Sequence, residues 1–333
     1  MKVDPAEIFV VFPAFHDYQA FQTVRDALHY SLAPESLRFG IHLMYGSEDI
    51  YNFFVSHTDN NYYDRNKLRY SHEKITKDNI YEKLGVGYGR HSAYKHYDGE
   101  KYILQIDAHT SFCHGWDQIL KETLEESKEY TKTDRTVLTA YCGGFKVDKN
   151  SKRIKPQADQ VFRYQYLYND KMYQKDHENT LHYWMPEWRT DLPNPEYNSY
   201  VPATKFAANF SFGELYLVDY LPKKTLFMEE ELIQTINIMD DNIVLIHPSG
   251  LKPIINHLYI TKDQPRTRAT INDFLEPFEE TWLEQEQIIN YLTFMRKKGN
   301  AKKIHKYEEY ARTKLIKGKR HIHIQGFIPF LPN

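Results

Sequence analysis

The first apolar run, Ile8-Phe9-Val10-Val11-Phe12, is continuous and rich in β-branched residues, and it predicts a buried strand ending at Pro13. Within Asp17 to Leu32, Phe21, Val24, Leu28 and Leu32 recur at three- and four-residue spacing, which predicts an amphipathic helix. Arg38 to Tyr45 supplies a second strand, closed by Gly46-Ser47-Glu48-Asp49. Strand, helix and strand together open a βαβ unit with a parallel sheet. Ligands of such sheets bind beyond the carboxyl ends of the strands, which is where His16 and Asp17 fall. Residues 50 to 80 are polar and aromatic with weak periodicity, and they read as loops with short elements.

Further on, a helix is predicted through Tyr97, then a buried strand over Lys101 to Ile106. That strand breaks abruptly into Asp107-Ala108-His109. Trp116 to Tyr130 reads as a helix that Trp116 and Asp117 open, and Arg135 to Cys142 as another strand. From about Lys146 to Pro202 the chain is tyrosine-rich with several prolines, which suggests long loops and a small subsheet inserted on the scaffold. Phe206 to Val218 is strand-like, Phe227 to Met239 helical, Ile243 to Ile246 a short buried strand, and Ile254 to Tyr259 a last apolar run. Ile271 to Phe294 reads as an acidic amphipathic helix, and Arg296 to Arg320 holds roughly eleven Lys or Arg residues.

At 333 residues the chain can bury a substantial core, and a net charge of -2 provides no global field for a polyanion or a membrane. Twenty-seven tyrosines against 14 glycines favour a globular protein rich in amphipathic rings. Cys113 and Cys142 are too few for a disulfide framework, the N-terminus lacks the basic region of a signal peptide, and no apolar stretch reaches the ~18 residues of a membrane span. The expectation is a soluble cytoplasmic protein.

Several side chains could carry chemistry. In extended chain, residues i and i+2 project to one side, so Asp107 and His109 could reach one cation; equally, the acid could belong to an ordinary strand-to-loop turn. Gly85-Val86-Gly87-Tyr88-Gly89-Arg90 could present amides and a guanidinium to a phosphate, or be a plain turn. His182-Tyr183-Trp184 and Trp188-Arg189 offer stacking faces for a sugar or base, or simple packing. Glu229, Glu230 and Glu231 suit a first helical turn on dipole grounds alone. A lone His257 at the end of an apolar run fits the core as readily as a ligand shell. The 296–320 run is either a solvated helix face or a contact for nucleic acid or anionic membrane.

In order and spacing, these short matches from Ile8 to Tyr259 resemble the N-acetylglucosaminyltransferases that include the enzyme modifying a hydroxyproline of the ubiquitin-ligase subunit Skp1, and more distantly the polypeptide N-acetylgalactosaminyltransferases. They comprise Phe15-His16-Asp17 after the first strand, Thr23, Arg25, Asp26 and Leu28 in the helix, and Gly87, Gly89 and Arg90. YILQIDAHTSFCHGWD follows, then Glu230-Glu231 and His257-Leu258-Tyr259. His16 stands where the family has arginine, Glu229 where it has glycine, and Ala207-Ala208-Asn209 in place of a glycine-rich strand. The tail beyond Thr270 carries none of the matched motifs.

The resemblance implies an α/β GT-A glycosyltransferase with a Rossmann-like central mixed sheet and helices on both faces. The domain would cover residues 1–268, with 146–202 as an acceptor-side insertion and 269–333 as a basic helical extension. It implies a retaining, metal-dependent transfer, GlcNAc from UDP-GlcNAc being the expected donor. Mn²⁺ or Mg²⁺ would be held by Asp107, His109 and His257. Phe15, Asp17, Gly87, Arg90 and Asp107 would bind the nucleotide, with Asp17 near base or ribose and Arg90 at the diphosphate. Asp107, Glu230 and Glu231 would be catalytic. The acceptor would be a protein hydroxyl, a glycan, or a hydroxymethylated base or base-linked sugar in phage-type DNA. A metal-dependent hydrolase or nucleotidyl enzyme, and a non-catalytic sugar-nucleotide or nucleic-acid binding module, remain as alternatives.

Overall fold

In the computed structural model, which describes residues 7–58, 67–76, 85–148, 153–154, 200–203, 206–221, 229–239, 241–248, 254–258 and 301–310, the chain opens on β1 (Ile8–Phe15). The apolar run continues as strand through Pro13 to Phe15. Ile8, Val10 and Phe12 pack into one hydrophobic cluster, while Phe9 and Val11 pack into another, as a strand covered on both faces requires. Helix α1 (Gln19–Tyr30) buries Ala20, Val24 and Ala27, and β2 (Leu37–Tyr45) pairs parallel with β1 from Ile8↔Leu37 onward.

The described parts of 50–80, residues 50–58 and 67–76, hold more regular structure than their sequence suggests. They belong to α2 (Glu48–Thr58) and to β3 (Leu68–Lys74), which pairs parallel with β2. The periodicity is weak for physical reasons. Helix α2 buries the narrow stripe Ile50, Phe54 and Thr58, and β3 is an edge strand whose side chains are mostly half-buried. Helix α3 (Val86–Tyr94) lies against β1 and β2, and Gly89 permits the close approach. A Cβ there would stand 2.6 Å from Pro13 Cβ and 2.7 Å from Met44 Cε.

The middle of the chain supplies β4 (Tyr102–Ile106), β5 (Thr110–Phe112), α4 (Trp116–Thr131) and β6 (Thr136–Thr139). Trp116 and Asp117 open α4, as expected. The Trp116 indole is fully buried and donates to Ala27 O at 2.9 Å, while the Asp117 carboxylate accepts from the Leu32 and Ala33 amides and the Ser31 hydroxyl. Short pieces follow: β7 (Gly143–Gly144), β8 (Lys146–Val147), β9 (Arg153–Ile154) and β10 (Val201–Pro202). Then come β11 (Phe210–Gly213), α5 (Glu229–Ile238), β12 (Val244–His247), β13 (Ile255–His257) and α6 (Ala301–Tyr310). Most of the expected 146–202 insertion, the aromatic residues His182, Tyr183, Trp184, Trp188 and Arg189, and the helix expected over 271–294 lie outside the described residues.

The eight-stranded sheet runs β10-β12-β6-β11-β4-β1-β2-β3, and it is the mixed α/β sheet expected. The parallel reading holds from β4 to β3, but β11 runs antiparallel between β4 and β6, and β10 antiparallel beside β12. Helices cover both faces: α1 and α4 share the cluster of Ile8, Val10 and Leu138, while α3 packs on Phe9 and Val11 and α5 contributes Ile238 to the cluster around Val137. A second sheet, β5-β13-β7, stands at the carboxyl edge of the first.

Candidate active site

Beyond the carboxyl ends of β1 and β4 the chain leaves the sheet twice in adjacent places, and the two exits converge. After β4, Asp107 turns out of the strand; two residues later His109 precedes β5. Strand β13 pairs antiparallel with β5, with His257 opposite Thr110, so a residue 150 positions from Asp107 is brought to the same point. His257 Nε2 lies 2.9 Å from Asp107 Oδ2, the His109 and His257 rings meet edge to face at 4.5 Å, and the possible ligand atoms of all three residues fall within 4.8 Å of one another. Two ligands at right angles and ~2.1 Å from a small divalent cation would be about 3 Å apart, so the Asp107–His257 spacing fits such an ion. An imidazole, imidazole and carboxylate set suits Mn²⁺ or Mg²⁺ less strictly than it would suit zinc, and selection would rest on geometry and supply.

Asp107 is the exposed member of the three, with 27 % of its side chain accessible against 4 % for His109 and 8 % for His257. Burial works against its ionisation, but the hydrogen bond and charge of His257, with Arg90 and His109 beyond, hold its carboxyl well below the usual carboxylate range. The anionic form that a cation needs is therefore the resting form.

Arg90 is buried and turned to Asp107 and Glu230. Its side chain is 1 % exposed, and its donors are given to protein acceptors: Glu230 Oε2 at 2.9 Å, Ile106 O at 3.1 Å, Ala208 O at 3.0 Å and Asp107 Oδ1 at 3.2 Å. It braces Asp107 from below. Gly87 and Gly89 likewise lie inside α3, where they are buried against the sheet, and the left-handed residue at the helix start is Gly85, with φ 101°.

Glu230 and Glu231, both buried, arrive on the first turn of α5. Burial pushes Glu230 up to about 7, against the pull of Arg90, and the neighbouring Asp107 and Glu231 charges push the same way. Glu231 accepts from the Ala208 amide at 3.1 Å and from the Tyr141 hydroxyl. Tyr141, which follows β6 at the same edge of the sheet, was invisible as a site residue because a lone tyrosine after a strand carries no spacing signal.

Phe15 closes β1 opposite Met44. Asp17 reaches the site by way of His16, which takes a left-handed φ of 47°. The carboxylate then turns inward: Oδ2 lies 2.7 Å from His109 Nδ1, and Oδ1 accepts from the Gln19 amide at 2.8 Å. Arg153, another residue with no signal in the sequence, reaches α1 from β9. It donates to Gln19 Oε1 and to Asp26 Oδ2, both at 2.8 Å, and to Thr110 O at 2.5 Å. Of the basic 296–320 run, α6 is described. Its Ile304 and Tyr307 are buried and it packs along α5, so one face of it is a packing face. Among the described residues no helix is long and apolar enough to cross a membrane.

A family model described as Glycosyltransferase (GlcNAc) matches residues 55–315. Among curated proteins none matches this sequence. Solved structures similar to it include GalNAc-T7 with UDP, GalNAc and Mn²⁺ (12 % identity, 78 % of this chain and 45 % of that one, TM-score 0.48). Residues 1–349 of S. aureus TarS are also similar (14 %, 76 % and 60 %, 0.41). A third is the mannosyltransferase PcManGT from Pyrobaculum calidifontis with GDP-Man and Mn²⁺ (8 %, 78 % and 59 %, 0.43). The chain spans about half the length of these structures.

Proposed function

The chain belongs to the GlcNAc glycosyltransferase family, and on that premise we propose that it moves a sugar, N-acetylglucosamine, from UDP-GlcNAc to a hydroxyl acceptor with retention, using Mn²⁺ or Mg²⁺ held by Asp107, His109 and His257. The observation that carries this reading is the convergence of those three side chains beyond the carboxyl ends of the parallel strands, where an open α/β sheet binds its ligands. A divalent cation bound there supplies Lewis acidity, neutralising charge that gathers on the departing diphosphate.

The protein's own groups divide the remaining work. Arg90 keeps the Asp107 carboxylate aimed and ionised from behind. Glu231, steadied by the Ala208 amide and the Tyr141 hydroxyl, accepts hydrogen bonds from donor-sugar hydroxyls, and Glu230 beside it fixes the turn that presents it. Both glutamates already have partners, which supports a front-face displacement without a dedicated protein base. In that step the acceptor oxygen bonds to the anomeric carbon as the bond to the diphosphate breaks, and the acceptor proton passes to the leaving phosphate oxygen. Phe15 and the β1 edge lie on the nucleotide side. The acceptor is the hydroxyl of a protein or glycan; the DNA acceptor suggested by the basic run gains no support from α6.

A donor screen by UDP release tests the reading, repeated with EDTA and with His257→Ala. Release from UDP-GlcNAc that EDTA and the substitution each abolish is the expected result. Phosphodiester cleavage with no release from any sugar nucleotide would overturn the transferase in favour of a hydrolase.

A further inference from the structure

Asp17 and His109 are 92 residues apart, yet their side chains form a deeply buried polar contact, 2.7 Å from Asp17 Oδ2 to His109 Nδ1, with 2 % and 4 % of the side chains exposed. The carboxylate is held from several directions. His16 makes a left-handed turn whose amide donates to Met44 O at 2.6 Å, and its Nδ1 accepts from the Gly46 amide at 3.2 Å. The Gln19 amide donates to Asp17 Oδ1, and Gln19 is itself gripped by Arg153 through both its side-chain and its backbone oxygen. A non-glycine residue at positive φ costs free energy, and it persists here because the surrounding bonds over-determine it. The turn aims Asp17 into the back of His109.

An imidazole that ligates a cation must be neutral, with its lone pair on the ligating nitrogen and its proton on the other. A carboxylate at Nδ1 selects the tautomer with the proton on Nδ1 and leaves the lone pair on Nε2, the nitrogen that could then ligate a cation. We propose that Asp17 is a positioning residue for the cation site, fixing the tautomer and orientation of His109, and that it is not a ligand of the base or ribose. The proposal rests on the cation reading given above.

Mn²⁺ titration followed by electron paramagnetic resonance, on the full chain without nucleotide, tests it. Wild type is expected to bind, His109→Ala to lose binding, and Asp17→Asn to bind 10- to 100-fold more weakly, the range typical of outer-shell partners. UDP binding measured in EDTA is expected to be unchanged in Asp17→Asn. If wild type takes up no Mn²⁺, the cation reading itself fails. If wild type binds and Asp17→Asn binds equally well, or loses UDP affinity in EDTA instead, Asp17 has the nucleotide role and this proposal is overturned. Should Asp17→Asn not fold, long-range ¹H–¹⁵N spectra of the metal-free wild type, with the His109 signal assigned by His109→Ala, decide the matter: Nδ1 protonated supports the proposal, Nε2 protonated overturns it.

Discussion

Arg90 Nε donates to Glu230 Oε2 at 2.9 Å across 140 residues of sequence, and this buried pair ties the helix that packs on β1 to the helix that brings in the two glutamates. Arg90 also serves Asp107 and two backbone carbonyls, so removing it strands four acceptors at once. Breaking one side of such a buried pair costs about 3–5 kcal/mol. Arg90→Met is therefore expected to lower the melting temperature by several degrees and to abolish turnover. Glu230→Gln, which still offers an amide oxygen to the guanidinium, is expected to retain most of the stability. A thermal melt of Arg90→Met matching wild type would refute the bracing role.

Gly89 stands where α3 crosses β1, and a methyl group there meets the rigid ring of Pro13. Alanine ordinarily favours a helix over glycine by about 1 kcal/mol. Overpacking costs about 1–3 kcal/mol, and one of the two atoms it would displace belongs to proline on a central strand. Gly89→Ala should consequently destabilise the fold, as denaturant melts would report; an increase in the midpoint would show that the helix simply slides.

His42, buried on β2 beside Ser71 and Tyr88, is pushed down to about 4 by burial, with Lys95, His72 and His96 acting in the same direction and Glu73 opposing. A histidine depressed in the folded state binds its proton later than the unfolded chain does. Stability is thus fully present above the unfolded value near 6.5 and is lost as pH falls toward 4, by up to about 3 kcal/mol. His42→Phe removes that component, so its melting temperature should fall less than that of wild type between pH 7 and pH 5. Equal falls in the two proteins would remove His42 from the acid response.

Helix α6 is part of the support of the site. Ile304 and Tyr307 of α6 are buried, and Lys303 Nζ donates to Asn237 O on α5 at 3.4 Å. Tyr307→Ala should cost about 3 kcal/mol as a large-to-small change, and it should lower turnover by loosening the helix that carries Glu230 and Glu231. Exposed Lys302→Ala is the control and should change neither. Loss of stability with turnover intact would separate the tail from the site.

Much of this was legible in the chain itself. The run from Ile8 to Phe12 announces a central strand because both faces of β1 are covered, and Asp107-Ala108-His109 marks the end of the next central strand, though its spacing alone suits a turn as well as a cation. Helix α2 and strand β3 were hidden because each buries one narrow row, leaving a pattern close to that of loops. The direction of β11 has no local signature, since a central strand buried on both faces lacks the alternation that marks an exposed antiparallel strand. Asp17 and Arg90 were recognisable as important, but their partners lie 92 and 140 residues away, and which way a side chain turns is decided by those partners. Tyr141 and Arg153 had no signal at all, being single residues whose meaning comes wholly from packing.

The pairing of β13 with β5 has a consequence for how the molecule comes into being. Asp107 emerges from the ribosome well before His257, and the two meet when that short pairing closes a span of 150 residues. Contacts of such long range form late, because the entropy of closing the loop must be met before they reward it. On the proposed cation reading, metal affinity would be acquired near the end of folding, and uptake of Mn²⁺ during refolding would report the moment at which β13 pairs with β5.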